Sequence, residues 1–182
     1  MKRPHSVGYF SSYDRGLSTL LDMWPKIKEQ VPDATLDIYY GWNAFDHAHA
    51  KNPQMMKWKW QMIRKMADVG AIEHGRVSHQ ELAKAMKEIQ VWAYPTEFTE
   101  ISCITAMKAQ AAGMHIVTTG CYALAETVQI PEDEVTDIYT NEAAQAKFIE
   151  RVVAALNSPP PKKVEADFSW AKVAKGWDAA LA

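Results

Sequence analysis

Cysteine is scarce: Cys103 and Cys121 are the two in 182 residues, too few for a disulfide framework and suited to a reducing compartment. Charge of one sign is lacking as well. Twenty basic against 22 acidic residues leave a formal net charge of -2, so no global field draws the chain to nucleic acid or anionic lipid, and any anion must be met by a local site. The seven tryptophans are scattered rather than gathered into a stacking platform, so no nucleic-acid partner is expected. No apolar run approaches a membrane span, and the opening MKRPHSVGYF has no apolar stretch of signal-peptide length. A soluble, cytoplasmic protein is the expectation. Neither Gly-x-Gly-x-x-Gly nor a P-loop occurs, which argues against a nicotinamide oxidoreductase and a nucleoside triphosphatase. His-Glu-x-x-His and Cys-x-x-Cys are missing too, and His47 and His49 alone do not make a ligand set, so no metal is expected.

What is present is ordinary globular material, 48% hydrophobic and 23% charged, in a length that favours one domain able to bury about 70% of its unfolded surface. Short β-rich runs alternate with amphipathic ones: SVGYF then 16–30, TLDIYY then 53–68, IEHGRV then 79–89, VWAYP then 101–112, HIVTT then a turn and a short helix. A last strand over 136–140 leads to a helix over 142–156. This rhythm predicts βαβ units and an α/β fold with a parallel sheet of about six strands. Leu17, Leu20, Leu21, Trp24, Ile27 and Val31 recur at helical spacing, so the helix over 16–30 packs on the sheet by that face. Met55, Trp58, Met62 and Met66 make a second apolar face, which suits a core or domain contact and, alternatively, peripheral membrane contact. After the Ser158-Pro159-Pro160-Pro161-Lys162-Lys163 stretch, Ser169 is placed to cap a final helix with Trp170, Val173, Trp177 and Leu181 on one face.

The segment PTEFTEISCITAMKAQAAG, residues 95–113, carries the chemistry. It ends a strand and opens a helix, and open α/β sheets bind ligands at the carboxyl ends of their strands. The amides of Ser102, Cys103 and Ile104 then form a helix start that favours a phosphate, with Glu100 at its mouth. Glu100 alternatively is a first-turn carboxylate favoured by the helix dipole alone.

The same segment resembles the signature of retaining GT-B glycosyltransferases of family 4. There a strand ends in Pro-Ser, a Glu follows, and a second Glu comes eight residues on, before Ala-Met-Ala-x-Gly; the matching positions here are Glu100, Lys108 and Gly113. The resemblance implies that Glu100 acts at the donor sugar, that Ser102, Cys103 and Ile104 meet the diphosphate, and that Lys108 replaces the carboxylate that holds the ribose hydroxyls. Lysine offers no acceptor for those hydroxyls. SVGYFSSYDRGLSTLL resembles the family's first strand and loop, with Gly8 and Gly16 on its glycines, Tyr9 on an arginine and Arg15 on a lysine that clamps the diphosphate. Arg15 read alone is equally a turn arginine on the surface.

IEHGRVSHQELAKAM resembles the Gly-x-Val segment whose backbone, here Arg76 and Val77, lies along the base. Ser78 and Glu81 have capping-box spacing and are explained by that. Glu126 in LAET resembles a family Glu near the donor. The likeness runs from Ser6 to about residue 157 and implies half of a GT-B fold, a Rossmann-like doubly wound sheet with helices on both faces. The expected division is a nucleotide-sugar-binding domain over 1–157, a Pro-rich linker over 158–163, and a C-terminal helix over 164–182 that packs on the domain or on a partner domain. The implied function is donor binding in a metal-independent hexosyltransferase that uses a nucleotide sugar and no cofactor, with a preceding Rossmann-like acceptor domain as partner. Tyr9 and Lys108 favour the alternative, a non-catalytic nucleotide-binding or interaction module derived from that fold.

Overall fold

The computed structural model describes residues 1–128, 137–161 and 169–181. In chain order the elements are β1 (Arg3–Tyr9), α1 (Leu17–Gln30), β2 (Thr35–Ile38), α2 (Asn43–His49), α3 (Pro53–Asp68), β3 (Ile72–Glu73) and α4 (His79–Glu88). They continue with β4 (Ile89–Tyr94), α5 (Ile104–Ala111), β5 (His115–Thr118), α6 (Ala123–Thr127), α7 (Glu142–Leu156) and α8 (Trp170–Leu181). The five strands form one parallel sheet in the order β3-β2-β1-β4-β5. Helices α1, α3 and α7 pack together on one side, and α4 and α5 on the other. The fold is the doubly wound α/β sheet read from the alternation, with five strands among the described residues where about six were expected.

The missing strand is the one read over 136–140. Residue 136 lies outside the described residues; beyond it, Ile138, Tyr139 and Thr140 form a turn. Asp137 takes a φ of 56°, and its carbonyl accepts from the amides of Thr140 at 3.1 Å and Asn141 at 2.8 Å. Those two bonds roll the chain directly into α7, which Asn141 caps by accepting from Ala143 and Ala144. The β-branched run looks like a strand, but the left-handed aspartate and the cap override it.

The core follows the predicted periodicities. Every residue of β4 is buried, as a central parallel strand covered on both faces must be. Leu17, Leu20, Leu21, Met23, Trp24 and Ile27 bury one side of α1, each large aliphatic contributing roughly 1.5–3 kcal/mol over exposure. One charge is sunk among them. Asp37 of β2 is 1% exposed and is bridged by Arg3 and by His74 Nε2, the latter at 2.7 Å, as a buried polar group requires partners. On α3 the apolar face holds at Met62 and Met66, and Lys59 is buried with them. Its ammonium is held by Asp46 of α2 at 2.6 Å.

Helix α8 forms with the predicted face, but none of its residues is buried: Trp170, Trp177 and Leu181 are 86%, 64% and 79% exposed. The proline stretch is tied to the body up to Pro159, whose carbonyl meets His115 Nε2 at 2.9 Å; residues 162–168 lie outside the described residues. No described helix is long and apolar enough to cross a membrane.

The strand order reverses between β1 and β4. The loops after those two strands, 10–16 and 95–103, therefore leave the sheet in different directions and open a crevice at its carboxyl edge, where doubly wound sheets bind ligands.

Candidate donor site at the switch point

Both crevice loops are fastened from below. Thr118 Oγ1 donates to the Tyr94 carbonyl at 2.9 Å and Thr119 Oγ1 to that of Thr96 at 2.7 Å. Thr96 Oγ1 in turn accepts from the Phe98 amide at 3.0 Å. The opposite loop is pressed against this one at Gly16, whose φ is 103° and where an added Cβ would stand 1.9 Å from the Pro95 carbonyl oxygen. Only glycine accommodates both that φ and that contact. Arg15 is thereby carried to the far loop, and its Nη1 lies 3.6 Å from Glu100 Oε1. Its guanidinium lies 3.7 Å from the centroid of the Phe98 ring, the stacking a planar cation prefers. Arg15 Nε is buried and has no hydrogen-bond partner among the described residues.

Glu100 is held by a residue that the sequence shows only as part of the strand run VWAYP. Tyr94 Oη donates to Glu100 Oε1 at 2.8 Å and accepts from Ser11 Oγ at 3.3 Å. Burial, first of all, holds the Tyr94 phenol well above its ordinary pKa, so it stays a donor at any physiological pH. The Glu100 side chain is 11% exposed. Its carbonyl accepts from the Ala123 amide at 3.2 Å, which brings the start of α6 to the same crevice. We expect Tyr94→Phe to cost about 1 kcal/mol of stability or less, the net worth of one hydrogen bond, while affinity for a sugar held by Glu100 falls severalfold. Paired thermal melts and nucleotide-sugar titrations check this, and an unchanged affinity refutes it.

Helix α5 starts at Ile104 with Cys103 at its N-cap, and no side chain caps it among the described residues. Ser102 and Ile104 are exposed at the helix start, where the positive end of the dipole lies and an anion is favoured. Cys103 is 5% exposed; burial pushes its thiol up to about 11, which leaves it protonated at neutral pH and no nucleophile.

The other residues read from the sequence fall in three places. Gly75, Arg76 and Val77 line a second, smaller cavity of about 200 Å³ with Phe10, Tyr39 and Leu82, and the capping box of Ser78 and Glu81 is formed as expected. Lys108 is exposed on α5, its Nζ 3.5 Å from His79 Nδ1, and Glu126 is exposed on α6. Two placements correct the expectation. Tyr9 lies in the sheet interior and not on the crevice: it is fully buried, its hydroxyl donates to the Ser12 carbonyl at 2.7 Å, and its ring meets Tyr94 edge-on at 5.9 Å. The pattern located Tyr9 at the end of β1 but not which way a strand-end ring turns, and an apolar sheet interior draws it in. Gly8 is likewise buried in the sheet, and an added Cβ there would lie 2.3 Å from the Phe10 ring, so it underlies the crevice rather than lining it. Among the described residues no three His, Cys, Asp or Glu side chains come together as a metal-holding group.

The sequence matches the family model for glycosyl transferases group 1 over residues 4–158. The chain belongs to that family. Among solved structures it is similar to the pneumococcal O-GlcNAc transferase GtfA in complex with UDP and GlcNAc, at 13% identity and a TM-score of 0.65 over 99% of this chain and 36% of that one. It is also similar to Anabaena HepE in complex with UDP and glucose, at 13% identity and 0.61 over 98% and 48%. S. aureus TarM, in a mutant form bound to UDP among other ligands, matches at 10% and 0.60 over 98% and 36%. A search of curated proteins found no match. These likenesses establish this group 1 glycosyl transferase domain as one Rossmann-like unit of the GT-B kind. The chain spans between about a third and a half of the length of the three solved proteins.

Proposed function

We propose that this domain binds the nucleotide-sugar donor of a retaining, metal-independent glycosyltransferase that moves a hexose from a nucleoside diphosphate. The observation that carries the reading is the meeting of Arg15, Glu100 and the uncapped start of α5 at the switch point. When the glycosidic bond breaks, negative charge grows on the leaving diphosphate, and the amides of α5 with the Arg15 guanidinium stand where that charge is stabilised. Glu100, steadied by Tyr94, orients the sugar hydroxyls. The solved relatives' complexes with UDP and sugars support a nucleotide-sugar donor. The greater part of the acceptor site and the groups that close over it belong to a preceding domain of the same type.

Isothermal titration against UDP-, GDP- and ADP-sugars tests the reading. We expect micromolar to millimolar binding, because half a cleft contacts half a ligand, and EDTA leaves it unchanged; no binding to any of them at millimolar concentration overturns the assignment. Purified chain alone transfers no sugar to an acceptor, since water exclusion and the acceptor site need the second domain.

Lys108 favours the second reading, a nucleotide-binding module without catalysis, because a lysine beside His79 gives the ribose hydroxyls no acceptor. Lys108→Glu separates the two. An intact donor pocket gains affinity for ribose-containing ligands severalfold and gains none for inorganic pyrophosphate; equal affinities before and after favour the module.

A further inference from the structure

Beside the donor crevice lies a cleft of about 670 Å³, between the start of α1 and the pair α2 and α3. Its volume is that of a small-molecule site. Aromatic rings build its wall. Trp42 meets Tyr13 at 4.6 Å, Phe45 at 5.3 Å and Trp58 at 5.9 Å between centroids, all three contacts edge-on. Trp42, Phe45 and Trp58 are each only partly buried, so ring surface is left for a ligand. Polar groups interrupt the wall at Asp14, His49 and Gln54, and no Lys or Arg lines the cleft among the described residues. The two ammonium groups near it are engaged by carboxylates: Lys59 by Asp46, and Lys65, which also meets the lining Ser18, by Asp22.

The cleft and the donor crevice share their walls. Asp14 and Gly16 line the cleft, while Arg15 between them turns the other way to Glu100. Tyr139 also lines it, and its amide is held at 2.7 Å by Glu97 Oε1 of the loop that carries Glu100.

We propose that this cleft binds an uncharged pyranose ring of the acceptor, a subsite supplied by the donor domain itself; the acceptor role rests on the donor reading of the Arg15 and Glu100 crevice. A pyranose presents carbon-bound hydrogens on its faces and hydroxyls around its rim. The faces match exposed aromatic surface, and the rim matches a carboxylate, an imidazole and a carboxamide. A phosphorylated ligand meets Asp14 with no cation to offset it. A lipid chain displaces water from Asp14 and His49 without returning a hydrogen bond.

The test is proton–nitrogen correlation NMR on the 182-residue chain, titrated separately with methyl glucoside, N-acetylglucosamine, UDP and hexanol. The sugars are expected to shift the indole signals of Trp42 and Trp58 and leave the amides of residues 102–106 in place, and UDP to do the reverse. His49→Ala and Asp14→Asn, both on the surface, should each weaken the sugar response about fivefold, the scale of one net hydrogen bond, with UDP binding intact. Sugar shifts confined to 102–106, no sugar shifts at all, variants that bind sugar as the parent does, or indole shifts with hexanol and none with sugars overturn the proposal. Sugar shifts at the indoles with no response to UDP leave the pyranose site supported and count against the donor crevice instead.

Discussion

Gly16→Ala is expected to remove about 3 kcal/mol or more of stability, the sum of a left-handed backbone strain and a backbone overlap that each cost about 1–3 kcal/mol. The methyl would have to occupy the position 1.9 Å from the Pro95 carbonyl, and backbone on both sides leaves no flexible group to yield. Against a typical total of about 5–15 kcal/mol this is a large share. Urea denaturation should show a markedly lower midpoint with an unchanged slope. The same substitution pries the loop after β1 from the loop after β4, so it separates Arg15 from Glu100 and weakens UDP binding as well. A midpoint within experimental error of the parent would mean that the two loops do not bear on each other in this way.

Arg15→Ala should do the opposite: little loss of stability and a fall in diphosphate affinity of about 1.5–3 kcal/mol, the range of a hydrogen bond to a charged group. Stability is spared because the Arg15–Glu100 pair is 3.6 Å long and the arginine is 34% exposed, conditions under which ion pairs contribute little. Arg15→Lys recovers only part of the affinity, since an ammonium keeps the charge but loses the bidentate fork and the flat contact with Phe98. Calorimetric titration of parent and both variants with UDP and inorganic pyrophosphate measures this. Equal affinity of the alanine variant for both ligands removes the phosphate site.

The sequence was most legible where one local rule operated alone. The helix over 142–156 coincides with α7 and that over 53–68 with α3, because Asn141 and Asn52 cap them and unbroken amphipathic runs follow. Glu100, Arg15 and the start of α5 were readable because the motif fixes their spacing from strand ends, and the crevice between β1 and β4 brings them together. Where two rules competed, reading failed. Asp137 turned a β-branched run into a turn, and no local pattern showed that Lys59 of α3 is buried against Asp46 of another helix. Tyr94 escaped notice as the support of Glu100 because a buried strand-end tyrosine has the pattern of a core residue, and only tertiary structure shows where its hydroxyl points. The aromatic cleft was invisible for a similar reason. Asp-His-Ala-His reads at most as a metal fragment, whereas the seven residues of α2 lay Phe45 against Trp58 of α3 and set His49 on the cleft.

The exposed face of α8 makes the protein its own optical reporter. Trp24 and Trp92 are shut in the core at 2% and 0% exposure, whereas Trp170 and Trp177 stand in water. Emission should therefore resolve into a blue component that acrylamide quenches poorly and a red one that it quenches readily. Any chain that covers α8 will move the share given by Trp170 and Trp177 toward the first and leave that of Trp60, 61% exposed on α3, so its docking can be followed in a cuvette with no label attached.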